Sequence, residues 1–589
     1  MKKSLFMLAV GASCIALTGC GGSGGTGIAS TPTPTPAPTP TPTPASNGTI
    51  TNLVSSQVFA TDASTTNVPI DLASGTTGSA SASGQTISVA YDASARSYTV
   101  TAPGRSASFL PADIQSAVNG ETRYAHVGNN PHDYLTIVTT PYTGSTSNRY
   151  VAMGYWQRND TTGSTQSTNF DAFTFGLETA APPRTGSASW KTDVFGLYTV
   201  PGLTPRTIQG SGDFTVDFAK ALFTTTTFVT QYDFLTGASL SGGGVSVVAQ
   251  GAIGSGNSFA GNLAYGGSSG AVSGTINGRF YGPNAEEIGA AFHADNAAGA
   301  TLNGALTGQR KTTTTPTNFT LDSITSDQLF YSIWGTLDQA VSASGTGFNA
   351  QSPLYGQTTF KADGSFTISP PVSNMPSLTF TAADRLPNSR ANFVSYQKDV
   401  NGSPVRVDLY RPDGSGQAIA LTYAGFGRWA RTAPDGSVTR TINGYFSYGF
   451  VTPRDLLARR TGSGSYDGVA YGTGGADNGA RYDIGGTSHF DVDFSNQRYS
   501  GSLTLDATPE AGGAAAALGA WQFSANMSYG LLVNAPLSNG GPSNPGNNIS
   551  PQFYGPDGEE IAAPFSIVTG ASINGQNLTI AGVAAAKRH

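Results

Sequence analysis
Along most of the chain apolar and polar residues alternate with a period of two, in short runs bounded every 8 to 12 residues or so by Gly, Asn or Asp. Phe214-Thr215-Val216-Asp217-Phe218 and Tyr98-Thr99-Val100-Thr101 are representative. Successive side chains of a strand point to opposite faces, so each run reads as a strand with one buried and one solvated side. Many such strands at this spacing are the mark of antiparallel sandwiches and barrels, and the predicted fold class is all-β. Helical periodicity is nearly absent: the pattern predicts at most a short helix around Pro111 to Val118, and the Ala511 to Leu518 run reads equally as a loop. Two Phe-Tyr-Gly-Pro segments, Phe280 to Pro283 and Phe553 to Pro556, read as strands ending in turns, because Gly-Pro interrupts a ladder. The carboxylate pairs that follow, Glu286-Glu287 and Glu559-Glu560, are expected to be solvated.

The pattern is written twice. Tyr150, Gly154, Trp156, Arg158, Phe173 and Gly176 recur 273 positions later as Tyr423, Gly427, Trp429, Arg431, Phe446 and Gly449. Arg184 to Ser187 and the Phe214 to Phe218 run recur at an offset of 276, as Arg460 to Ser463 and Phe490 to Phe494. Phe280 to Ile288 returns as Phe553 to Ile561, again at 273. Several segments held in order and register indicate duplication, with the joint in Lys311 to Thr317 and lobes over 49–311 and 318–589. A length of 589 residues accommodates either about four domains or two large lobes.

Composition sharpens this picture. Only 11% of residues are charged and the net charge is −6, which argues against nucleic acid as a partner, since phosphate binding needs clustered positive charge. Glycine, 76 residues without a three-residue period, reads as turn-rich β structure. Lys2 and Lys3 precede the apolar run Leu5 to Leu17, too short to span a bilayer and suited to an export signal. Leu17-Thr18-Gly19-Cys20 resembles a bacterial lipobox, which implies a signal peptide over 1–19 and a lipid anchor on Cys20. Cys14 would leave with that peptide, so the mature chain has no thiol pair for a disulfide. Gly21, where Asp would mark inner-membrane retention, favours the outer membrane. Residues 20–48 then form a Gly- and Pro-rich stalk whose seven alternating prolines favour polyproline II.

The motifs Phe214 to Lys220 and Ile276 to Gly289, present in both halves behind a lipobox and a stalk, resemble the β-barrel domain of the transferrin-binding protein B family of surface lipoproteins. The resemblance implies a bilobed protein, each lobe a β-rich handle followed by an eight-stranded antiparallel barrel. The handles would span 49–181 and 318–457, and the barrels 182–311 and 458–589. It also implies binding rather than catalysis: capture of an extracellular iron- or haem-carrying protein at the cell surface and delivery to an outer-membrane transporter. The matched motifs are scaffold and carry over no ligand-contacting residue. With eight lysines and no cysteine after Cys20, the chain departs from the family in ways that argue against transferrin itself as the ligand.

Candidate chemistry is sparse. Gly266-Gly267-Ser268-Ser269-Gly270 fits a nucleophile-elbow pattern but lacks a strand-to-helix context, so no catalytic residue is assigned. His126 and His132 flank Asn129-Asn130-Pro131 without a third ligand at a recognised spacing, and no metal or cofactor is expected. Aromatic residues are more informative. Tyr142, Tyr150, Tyr155 and Trp156 crowd the first handle, and Tyr155 is replaced by Arg428 in the second half, as a lobe-specific surface position would be. Such aromatics also serve as core, and Trp156, repeated as Trp429, behaves as a structural residue; ligand contact, if it resides in the first lobe, is expected at handle loops near Tyr142 and Tyr155. The alternatives are a small-molecule carrier using a barrel interior, left open by the Gly and Ala at strand positions, and an adhesion or structural surface module.

Overall fold
A computed structural model describes residues 46–589 apart from 241–244, 268, 315–316, 388–391, 411–417, 459, 529, 542, 571–572 and 574. The expected signal peptide, Cys20, most of the stalk and Ser268 lie outside the described residues. The chain is all-β and two-lobed. In the first lobe a four-stranded and a seven-stranded sheet, centred on the hairpin Val151–Thr162 and Thr165–Gly176, precede a closed barrel of eight antiparallel strands. That barrel runs from Ser187–Thr199 to Thr301–Arg310, which close on each other from Trp190 opposite Arg310 to Thr199 opposite Thr301. In the second lobe a single eight-stranded sheet precedes a ring closed by eight strands, from Ser463–Ala476 to Leu578–Arg588.

Alternation decides which side chains fill the barrels. Along strand Leu222–Asp233, Phe223, Thr225, Thr227, Val229 and Gln231 turn inward, and Thr224, Thr226, Phe228 and Thr230 turn outward. Trp190, Phe214, Phe223, Phe259 and Phe280 close the interior of the first barrel, with Phe214 and Phe223 stacked at 4.9 Å. Trp190 donates to the carbonyl of Ala285 at 3.1 Å, and its counterpart Tyr466 donates to Gly558 at 2.7 Å, so one aromatic pins the same turn in each barrel.

The glycines do more than make turns. Many sit inside strands directly opposite a phenylalanine: Gly154 with Phe173, Gly427 with Phe446, Gly304 with Phe292 and Gly582 with Phe565. A Cβ at any of the four would approach the facing ring closer than 3.0 Å. The ring occupies the space that glycine leaves and covers exposed backbone; at Gly304 and Gly582 it also fills part of a barrel interior.

The one helix expected is overturned, and the open alternative at Ala511 to Leu518 is decided. Pro111 to Val118 is a single 3-10 turn, Pro111–Asp113, followed by the strand Ile114–Val118; Pro111 opens the turn and Asp113 caps it by accepting from the N–H of Leu110 at 2.7 Å. The Ala511 to Leu518 run is a turn that enters the strand Ala516–Ser528. The larger correction concerns the carboxylate pairs. Glu286 stays in its turn, but Glu287 is 4% exposed and Glu560 fully buried.

Each buried carboxylate joins a handle to its barrel. Glu287 Oε1 accepts from the N–H of Arg149 at 2.7 Å, and Oε2 from Tyr150 and Val151 at 2.8 and 3.0 Å. Glu560 repeats this atom for atom with Thr422 at 2.7 Å and Tyr423 and Ala424 at 2.9 and 2.8 Å. Next to each, a threonine hydroxyl, Thr179 or Thr452, donates to the carbonyl of Gly282 or Gly555 at 2.5 and 2.6 Å. The three N–H groups need an acceptor because they open a handle strand on the side that faces the barrel. Residues 286 and 287 point to opposite faces, so only the second of each pair reaches them.

Replacing Glu560 by Ala orphans three buried donors and is expected to destabilise the second lobe by about 2–4 kcal/mol, against about 1 kcal/mol or less for Glu286→Ala. Denaturant unfolding of the two variants measures the contrast. Burial pushes the carboxyls of Glu287 and Glu560 above the ordinary value, an effect that the N–H donors only partly offset. The folded state thus binds the proton more tightly than the unfolded one, and each group's contribution falls as pH rises from 4.5 through the raised value. Relative to Glu560→Gln, the wild type is expected to lose stability across that window and then level off, a trend that unfolding at stepped pH follows.

Candidate functional site
A groove of about 1310 Å³ lies where the first handle meets the outer wall of the first barrel. One side is the handle loop from Thr140 to Ser147; the other is the barrel wall, including Lys191, Gln209, Ser211, Phe228 and Thr230. The wall is set by cross-strand register, with Ser211 opposite Phe228, Gln209 opposite Thr230 and Thr207 opposite Tyr232. Outward positions on strands Arg206–Asp217 and Leu222–Asp233 therefore form a surface of hydroxyls and amides around the rings of Phe228 and Tyr232.

Asp193 holds the loop in place. Its carboxylate, 1% exposed, accepts from the N–H groups of Tyr142 and Thr143 at 2.8 Å each, and from the Thr143 hydroxyl at 2.7 Å. Burial pushes its carboxyl up, opposed by these bonds and by Lys191. At the other end of the groove Asp233 accepts from Thr204 Oγ1 at 2.6 Å and from the N–H of Thr236 at 2.8 Å. Slight burial would raise that carboxyl, but the hydrogen bonds prevail and hold it below the usual range. Both carboxylates are thus committed to shaping loops.

The structure separates the two tyrosines expected at the site. Tyr142 lines the groove, its ring 5.4 Å from Phe195 and its hydroxyl pushed far up by burial and by Glu121. Tyr155 is not on the surface: it is 5% exposed, stacked on Phe170 at 5.8 Å and packed on Phe195 at 4.6 Å. It supports, through Phe195, the ring against which Tyr142 lies. Its counterpart Arg428 in the second lobe donates instead to Asn443 Oδ1, on the neighbouring handle strand, at 2.7 Å. His126 and His132 stand at the ends of adjacent strands; His126 pairs with Asp113 at 2.8 Å and stacks on Phe109. Among the described residues no cluster of three or more His, Cys, Asp or Glu could hold a metal ion.

Sequence reasoning missed Asp193 and Phe228. The available signal was a break in the repeat: at the 276 offset, Asp193 corresponds to Val469 and Phe228 to Thr504.

The family model for the C-lobe and N-lobe β-barrels of transferrin-binding protein B matches residues 141–310 and 458–588, and the chain belongs to this family. No curated protein sequence matches the chain. Among solved structures it is similar to transferrin-binding protein B of Haemophilus parasuis Hp5, at 15% identity over 89% of this chain and 95% of that chain, with a TM-score of 0.26. It is also similar to the isotype 1 protein of serogroup B Neisseria meningitidis, at 17% identity over 77% and 87%, with a TM-score of 0.25. The N-lobe domain of lactoferrin-binding protein B of Moraxella bovis is 13% identical over 42% of this chain and 99% of that chain, with a TM-score of 0.22.

Truncating Tyr155 to Ala empties a packed aromatic site and is expected to cost about 3–5 kcal/mol. Phe228→Ala, on the open wall, is expected to stay within about 0.5 kcal/mol of the wild type. Thermal unfolding of the two variants separates support from surface.

Proposed function
We propose that this protein is a lipid-anchored receptor of the outer membrane that binds an extracellular iron- or haem-carrying protein through the groove of its first lobe and presents it to an outer-membrane transporter. Family membership supports binding as the activity. The observation that carries the choice of surface is that aromatic side chains fill the first barrel, while the groove beside it stays open with a ring exposed on its wall. Interfaces draw their affinity from such partly exposed aromatic residues set among adaptable polar groups. The lipobox motif, with Cys20 as acceptor, and the proline-rich stalk that follows support an anchored body held away from the membrane. Among the described residues no helix is long and apolar enough to cross a membrane.

Pull-down of an iron-loaded carrier from serum by the mature chain tests the reading. Thr230→Arg, which fills the wall beside Phe228, is expected to weaken capture roughly tenfold or more, in line with loss of a central interface position. Equal capture by wild type and variant would place the contact elsewhere. Cys20→Ala is expected to shift the protein from the membrane to the soluble fraction, and protease added to intact cells is expected to degrade the wild type.

A further inference from the structure
We propose, resting on the reading above, that the part of the carrier seated in the first-lobe groove is an uncharged glycan, with a sugar ring stacked on Phe228. Phe228 is 68% exposed, in the middle of a strand whose other outward residues are threonines and one tyrosine. Its exposed face offers apolar area to a ligand that enters the groove, since covering it removes that area from water. The groups around it fix what that cover can be.

Gln209, Ser211, Thr230 and Tyr232 surround the ring on the paired strands, and their side chains make no hydrogen bond within the described protein. Each hydroxyl or amide can both donate and accept, so together they match a ligand covered in hydroxyls rather than one bearing a fixed charge. Charge recognition is weak here. Asp193 and Asp233 are consumed in loop bonds, and Asp213, on the neighbouring wall, pairs with Lys311 at 3.2 Å. Lys191 is the cation remaining among the lining residues. A pyranose ring has an apolar C–H face and a rim of hydroxyls, so it covers an aromatic ring while meeting its polar surroundings. A groove of about 1310 Å³ accommodates several sugar units.

The duplication gives an independent reason to assign these residues to a ligand. The scaffold is repeated closely, down to the three bonds of Glu287 and Glu560, yet the groove wall is not. Gln209, Ser211, Phe228, Thr230 and Tyr232 correspond to Gly485, Thr487, Thr504, Asp506 and Thr508 at the 276 offset. The second barrel has no aromatic at this place and carries a carboxylate instead.

The test uses the full mature chain and, as probes, neutral oligosaccharides of stated composition: maltopentaose, mannopentaose, chitopentaose and a desialylated complex-type N-glycan. Saturation-transfer difference NMR and calorimetry read the binding. At least one probe is expected to bind, with affinity reduced roughly tenfold or more in Phe228→Ala and measurably in Gln209→Ala. Thr504→Ala in the second barrel is expected to leave it unchanged. No binding by any neutral probe, binding only to sialylated or sulfated sugars, or full binding by Phe228→Ala would each overturn the inference. A captured carrier is then compared before and after enzymatic removal of its glycans. Loss of capture supports the inference, whereas undiminished capture overturns it and leaves the receptor reading standing. Binding of a neutral probe without capture of any glycoprotein would instead overturn the receptor reading and retain the groove chemistry.

Discussion
A handle and a barrel fold from separate strand sets, yet each handle has a strand that starts on the barrel's flank with three N–H groups facing away from its own sheet. Three such donors in a buried joint need an acceptor there, and one carboxylate with two oxygens supplies it. Glu287 and Glu560 do this in the two lobes with the same atoms and nearly the same distances. Burying a carboxylate is costly unless its bonds are made, so the joint is stable only in the register that satisfies all three donors. The groove of the first lobe depends on that register, because it lies between the handle loop and the barrel wall that the joint brings together.

The lobes differ where the duplication stopped constraining them. Asp193 performs for the loop from Thr140 to Ser147 what Glu287 performs for the strand start, turning a flexible connection into a wall. Its counterpart Val469 is partly buried against an apolar cluster between handle and barrel, and a valine side chain offers no acceptor for such a bond. A carboxylate at this one position therefore distinguishes the wall of the first-lobe groove from the matching place in the second barrel, where position 469 is valine.

Chain chemistry explains why a glycine-rich, charge-poor sequence makes ordered barrels. A glycine opposite a phenylalanine lets the ring lie flat over the neighbouring strand, and Gly154, Gly304, Gly427 and Gly582 all use this arrangement. Composition alone reads these glycines as turns, because the cross-strand partner that gives each its purpose lies 12 to 19 residues away. The outside of the barrel, by contrast, carries threonine, serine and glutamine, which tolerate solvent, and this is the surface on which the proposed binding rests.

Period-two alternation, the repeat at 273 to 276 and the barrel motifs determine the all-β class, the two lobes and the family, since these depend only on which residues neighbour one another along a strand. The same local signal drew attention to Tyr142, which the fold places on the lining of a groove. It could not tell Tyr155 from a surface residue, because Tyr155 is buried by Phe170 across its hairpin and by Phe195 from the barrel. Nor could it show that the second glutamate of each pair faces inward, or that Phe228 stands open in a groove. Those outcomes depend on which strand lies opposite and which domain packs above it, and only the tertiary structure decides that.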